Sequence, residues 1–181
     1  MYATMVLCST MMMAAPDPVA PLPDQEYVVK VNRAARGVGL GYANGLWGRG
    51  FAQRLHLDIP FGRRVGQFFG LRLQGTFVHS GVGDRYDPVA FGGVELFGRS
   101  PVMAGIVRLY GGGGVFAGGR PLPSDEGRPW GIGGGGHFGI EAFLDPRMAF
   151  AVEVGGQSHV HALGLDSGAS VMGMVNFYFG R

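Results

Sequence analysis

The sequence predicts an all-β protein, an eight-stranded antiparallel up-and-down transmembrane β-barrel. Three observations carry that expectation. Glycine is abundant, at 35 of 181 residues, beside 13 Phe, 6 Tyr and 2 Trp. Each interior glycine costs a helix about 1 kcal/mol relative to alanine, and so many aromatic residues argue against a disordered glycine-rich chain. From Arg36 onward, apolar residues recur at every second position through eight segments, which is the period of a strand because successive side chains point to opposite faces. The connections between those segments alternate between short and long.

Residues 1–23 precede this pattern. Met1 to Ala15 is apolar and Met-rich, and a Pro-rich end runs from Pro16 to Pro23. The segment is too short to span a membrane and resembles the apolar region of a secretory signal peptide, without a basic residue before it or a clean A-x-A site. Its Cys8 is the only cysteine, so the chain beyond it has neither disulfides nor thiol chemistry. Met5, Val6 and Leu7 are not the small residues a lipid-attachment site wants. Residues 24–35 form a periplasmic lead-in. The alternation of Tyr27, Val29 and Val31 predicts extended chain there, or an extension of the first strand.

The first segment, Arg36 to Ala43, sets Val38, Leu40 and Tyr42 against Gly37, Gly39 and Gly41. Arg49 to Phe61 sets Phe51, Leu55, Leu57, Ile59 and Phe61 against Arg54, His56 and Asp58. Gln67 to Val78 sets Phe69, Leu71, Leu73 and Phe77 against Arg72, Gln74 and Thr76. In Val89 to Phe97, Ala90, Val94 and Leu96 oppose Glu95. Ala104 to Ala117 opposes Val107, Leu109 and Val115 to Arg108. Trp130 to Leu144 opposes Trp130, Ile132, Phe138, Ile140 and Leu144 to His137 and Glu141. Met148 to Gln157 opposes Met148, Phe150, Val152 and Val154 to Glu153 and Gln157. Gly168 to Gly180 opposes Val171, Val175, Phe177 and Phe179 to Met172, Met174 and Asn176.

The short connections are residues 62–66, 98–101 and 145–147. The others are residues 44–48, 80–88, 118–129 and 158–167, mostly longer and richer in charge and turn formers. Tight turns at one end and extended loops at the other are the signature of a membrane barrel. Strands of about nine to eleven residues suffice for a tilted span.

With alternation, loop asymmetry and an aromatic terminal strand in place, residues 36–181 resemble the small eight-stranded outer-membrane β-barrels of Gram-negative bacteria. The resemblance implies an outer-membrane location, contact with outer-membrane lipid, a monomer, and recognition of the last strand by the barrel-assembly machinery. The family's terminal strand usually finishes on its aromatic residue, whereas Gly180 and Arg181 follow Phe179 here.

A barrel of eight strands is filled by its own side chains. The expected lumenal network is Arg54, His56, Asp58, Arg72, Gln74, Glu95, Arg108, His137, Glu141, Glu153, Gln157 and Asn176, with three arginines against four carboxylates. Charges in so narrow a space are expected to pair, giving a plugged lumen and not an open pore. An aromatic girdle is expected from Tyr42, Trp47, Phe61, Phe77, Trp130 and Phe179. A soluble barrel would use the same alternation with inside and outside exchanged. Against that, the polar parity is rich in glycine and poor in Lys and Glu.

A structural or surface-interaction role without catalysis, cofactor or metal fits best. Two readings from other classes stand beside it. One is a lipid A-modifying acyl-transfer or deacylase barrel using Ser158, His159, His161, Asp166 and Ser167, a set chemically able to transfer an acyl group if it converges. The other is a narrow channel for small solutes. His159 and His161 share a face of extended chain and could contact one metal, if Asp166 joined them. Gly131 to Gly136 matches G-x-G-x-x-G, but a dinucleotide site needs a helix after that motif. The net charge of +2, with scattered basic residues, argues against nucleic-acid binding.

Overall fold

The computed structural model describes residues 25–48, 50–61, 69–79, 81–82, 85–86, 88–120, 130–159 and 168–180. One helix, α1 (Gln25–Ala34), precedes ten strands: β1 (Gly39–Trp47), β2 (Gly50–Pro60), β3 (Phe69–His79), β4 (Gly81–Val82), β5 (Arg85–Tyr86), β6 (Val89–Arg99), β7 (Val107–Gly119), β8 (Trp130–Asp145), β9 (Met148–His159) and β10 (Gly168–Tyr178). Eight of them close a barrel in the order β1-β10-β9-β8-β7-β6-β3-β2, while β4 and β5 form a separate two-stranded ribbon. Every neighbouring pair is antiparallel, and β1 pairs with both β2 and β10. No barrel edge is left, so each strand's backbone donors and acceptors find partners without water. The two glycine runs meet, with Gly113 opposite Gly136 and Gly114 opposite Gly135.

Parity decides which side of the wall each residue meets. Leu55, Leu96, Val115, Phe138, Val152 and Phe177 are exposed on the outside. Arg54, Arg72, Glu141 and Glu153 are buried within. An apolar outer belt around a charged interior is the inverse of a soluble barrel. It is the arrangement that lipid stabilises.

Three expectations need correction. Residues 25–34 are helical, not extended. The buried positions are Tyr27 in part, then Val31, Ala34 and Ala35, whereas Val29 faces out. That spacing follows a 3.6-residue period, and Tyr27-Val29-Val31 only mimics alternation. The helix caps the barrel end where the short turns lie. Val31, Ala34 and Ala35 pack with Phe143, Ala149 and Tyr178, and Tyr27 Oη donates to the Phe143 carbonyl at 3.3 Å. The first strand begins at Gly39 and continues to Trp47, leaving Gly48, at φ 56°, for the turn into β2. Between β6 and β7 the turn covers residues 100–106, because Ala104 (φ 48°) and Gly105 (φ 74°) cannot belong to a ladder.

Candidate functional site

The lumen is the candidate site, filled in three layers. At the long-loop end, Trp47 stacks on Phe91 with ring centroids 5.4 Å apart. Phe116 meets both rings edge-on, at 5.5 Å and 5.2 Å. Ala43, Val78, Val89, Met172 and Met174 complete this apolar plug. Trp47 is 5% exposed, so it is no part of a girdle. It shares the parity of Ala43 and not of Tyr42, and the strand carries it inward. Tyr42, Phe61, Trp130 and Phe179 do lie exposed on the outside, with Phe77 half-buried there.

The middle layer is ionic. Arg72 holds Asp58 through two bonds, Nε to Oδ1 at 2.7 Å and Nη2 to Oδ2 at 3.2 Å. Its Nη1 reaches Glu153 Oε2 at 3.2 Å and lies 3.9 Å from Glu95 Oε2. Glu153 also accepts from Arg54 at 2.7 Å and from Tyr110 Oη at 3.4 Å. Gln74 donates to Glu95 at 3.1 Å. The His137 ring lies between two carboxylates, with Nδ1 3.5 Å from Glu95 and Nε2 3.7 Å from Glu153. Nearer the short-turn end, Arg108 pairs with Glu141. Glu141 Oε2 accepts from Tyr178 Oη at 2.7 Å and from Asn176 at 3.2 Å, and Asn176 Oδ1 lies 3.1 Å from His56 Nε2. Of the twelve residues expected in the lumen, only Gln157, half-buried, stands outside this mesh.

Sequence reasoning missed Arg99, which it assigned to a turn. Arg99 ends β6 on the inner face, buried and bonded to Asp58. Its inward parity, continuous with Glu95 and Phe97, was the available signal. It also changes the balance: the described lumen holds four buried arginines (54, 72, 99 and 108) and four buried carboxylates (58, 95, 141 and 153). Tyr110 and Tyr178 join the mesh as well: they share the inward parity of Arg108 and Asn176 and are buried beside them. Arg99 lies over the Phe97 ring at 4.4 Å, and Arg108 over Tyr178 at 5.0 Å, so the rings give the guanidiniums a face when water is excluded.

Glycine makes room for this mesh. A Cβ on Gly41 would enter the space of His56 and Asn176, and one on Gly139 would enter the Tyr110 ring. Each small residue sits opposite the large one in register, Gly41 across from Asn176 and Gly139 across from Tyr110.

The third layer is α1. Arg108 Nη1 donates to the Ala35 carbonyl at 3.0 Å, joining the end of the helix to the ionic layer. Lumen charge and helix cap are therefore one connected structure.

With this geometry in place, the chain can be set beside known structures. The N-terminal β-barrel domain of Pseudomonas aeruginosa OprF matches 80% of this chain and 98% of that domain, with a TM-score of 0.60 at 13% identity. Neisserial surface protein A matches 78% of this chain and 94% of its own, with a TM-score of 0.57 at 11% identity. The fold is that of an eight-stranded outer-membrane barrel. No protein-family model and no curated sequence matches the chain.

The residues considered for chemistry lie elsewhere. Ser158 and His159 end β9, opposite Gly134 and Gly133 of β8, whereas His161, Asp166 and Ser167 lie outside the described residues. Among the described residues, no group of three His, Cys, Asp or Glu is placed to hold a metal. The G-x-G-x-x-G run, Gly131 to Gly136, is strand β8 throughout and lacks the helix that phosphate binding requires.

Proposed function

We propose that this protein is a monomeric, non-conducting barrel of the bacterial outer membrane, serving envelope structure and surface contact. One observation carries the reading: the lumen is filled by a balanced set of four arginines and four carboxylates, closed on one side by Trp47, Phe91 and Phe116 and on the other by α1. Moving an ion through would require breaking several buried pairs, each break leaving an uncompensated charge. The long connections all leave one end of the barrel, which makes that end the face for contact. In this reading α1 lies on the periplasmic side and β10 is the strand read by the assembly machinery.

The test has two parts. Purified protein in planar bilayers is expected to show no unitary conductance. On intact cells, a protease site placed within residues 121–129 is expected to be cut from outside. Steady channel openings would overturn the plugged lumen, and a site protected until the envelope is broken would overturn the surface role.

A further inference from the structure

The helix does more than close the lumen: it overhangs the barrel wall at the seam where the chain closes on itself. β1 and β10 meet there with Leu40 opposite Phe177 and Tyr42 opposite Val175. That outward apolar column continues one step below the ladder, where Phe179 N donates to the Val38 carbonyl at 2.9 Å. Val38 and Phe179 are both exposed. Above them α1 turns out its polar face, with Glu26, Val29, Lys30 and Arg33 exposed along it and Arg36 just beyond. Between helix and wall lies an open groove of about 980 Å³, whose lining includes Val29, Arg33, Arg36, Val38, Pro101 and Phe179.

The close approach that forms the groove depends on glycine. A side chain on Gly180 would collide with the carbonyls of Arg33 and Ala34, and one on Gly37 would collide with the Gly180 backbone. The helix end is thereby held directly over the seam, with its guanidiniums above an apolar wall.

We propose that this groove seats one anionic phospholipid of the leaflet at the short-turn end. Its phosphate would lie against Arg33, with Arg36 adding positive charge at the same groove wall, and an acyl chain would run down the seam along Val38, Phe179 and Leu40. The chemistry matches at both ends. Guanidinium forks bind phosphate oxygens in pairs, and the seam below is the apolar surface that hydrocarbon covers. Lys30 is already held by Glu26 at 2.6 Å. Among the described residues no ion pair or hydrogen bond engages the Arg33 guanidinium. The proposal rests on the membrane reading of the barrel, and detergent extraction with heat-modifiable migration tests that reading separately.

Native mass spectrometry of the full chain released from detergent micelles provides the test. Wild-type protein titrated with phosphatidylglycerol is expected to retain one lipid per barrel. Retention should exceed that of phosphatidylcholine with the same chains by roughly 30-fold, the size expected of two basic side chains at an anionic headgroup. Arg33→Gln with Arg36→Gln should abolish that preference, whereas Glu26→Gln with Lys30→Gln, on the same helix but off the groove, should keep it. Equal retention of the two lipids by wild type would overturn the proposal without reference to any variant. So would an unchanged preference in the Arg33/Arg36 variant, or displacement of the lipid by millimolar inorganic phosphate, which would mark a free-phosphate site.

Discussion

The two ends of the lumen are closed by different means. At the long-loop end the barrel closes itself: Trp47, Phe91 and Phe116 are strand residues of inward parity, held by the ladder that holds the wall. At the short-turn end closure comes from a separate element, α1, joined to the wall by Val31 and Ala34, one tyrosine hydrogen bond and one arginine contact. A plug built into strands cannot leave without unfolding the barrel. A helix docked from outside the ladder can leave while the barrel remains. The ionic layer is therefore covered on one side by the wall itself and on the other by an element docked onto it.

The largest effect is expected in the layer both ends protect. Arg72→Met leaves Asp58 with Arg99 and Glu153 with Arg54 as their remaining arginines, and should destabilise the barrel by about 3–5 kcal/mol. Urea unfolding in vesicles, read by heat-modifiable migration, measures it. A cost near zero would mean that the ionic layer is solvated.

Trp47→Ala comes next, at about 3 kcal/mol from lost contacts and the cavity left behind. Conductance is expected to stay silent because the ionic layer still blocks the path. Channel openings in this variant would instead make the aromatic layer the barrier.

Val31→Asp should act on the other end alone. Burying a carboxylate against Phe143 and Tyr178 should cost helix docking about 2 kcal/mol. Residues 25–38 should then be cut readily by protease while the barrel keeps its heat-modifiable migration. Loss of the folded band would show that the two ends are not separable.

The smallest effect is alkaline. Burial, and then the Asp145 carboxylate, raise the Tyr27 phenol above its ordinary value. The docked helix therefore binds a proton that the undocked helix gives up sooner. Its contribution is complete below the ordinary tyrosine value of about 10 and fades as pH rises past it, by about 1 kcal/mol for the lost hydrogen bond to Phe143. Protease sensitivity of α1 should rise above that pH, and Tyr27→Phe should remove the pH dependence.

Parity was legible wherever a strand was long and its faces unlike. Arg54, His56 and Asp58 on one side of β2, with Leu55 and Leu57 on the other, leave one orientation once a belt must face lipid. Strand ends were read less well. Arg99 and Trp47 lie next to glycine, at Gly98 and Gly48, and turn-forming neighbours hid the fact that the ladder continued through them. Helix α1 was misread because Tyr27, Val29 and Val31 satisfy a period of two by chance across five residues, too short a stretch to separate it from 3.6.

The alternation of eight strands, the apolar outer face and the consignment of charge to the lumen are all local properties of the chain, because each follows from a period of two and the cost of burying the wrong face. Which arginine meets which carboxylate was left to the tertiary structure, since Asp58 and Arg99, or Arg54 and Glu153, are joined only by the register of a closed barrel. So was the docking of α1: an amphipathic stretch names no partner until the barrel's open end presents Phe143, Ala149 and Tyr178 to receive it.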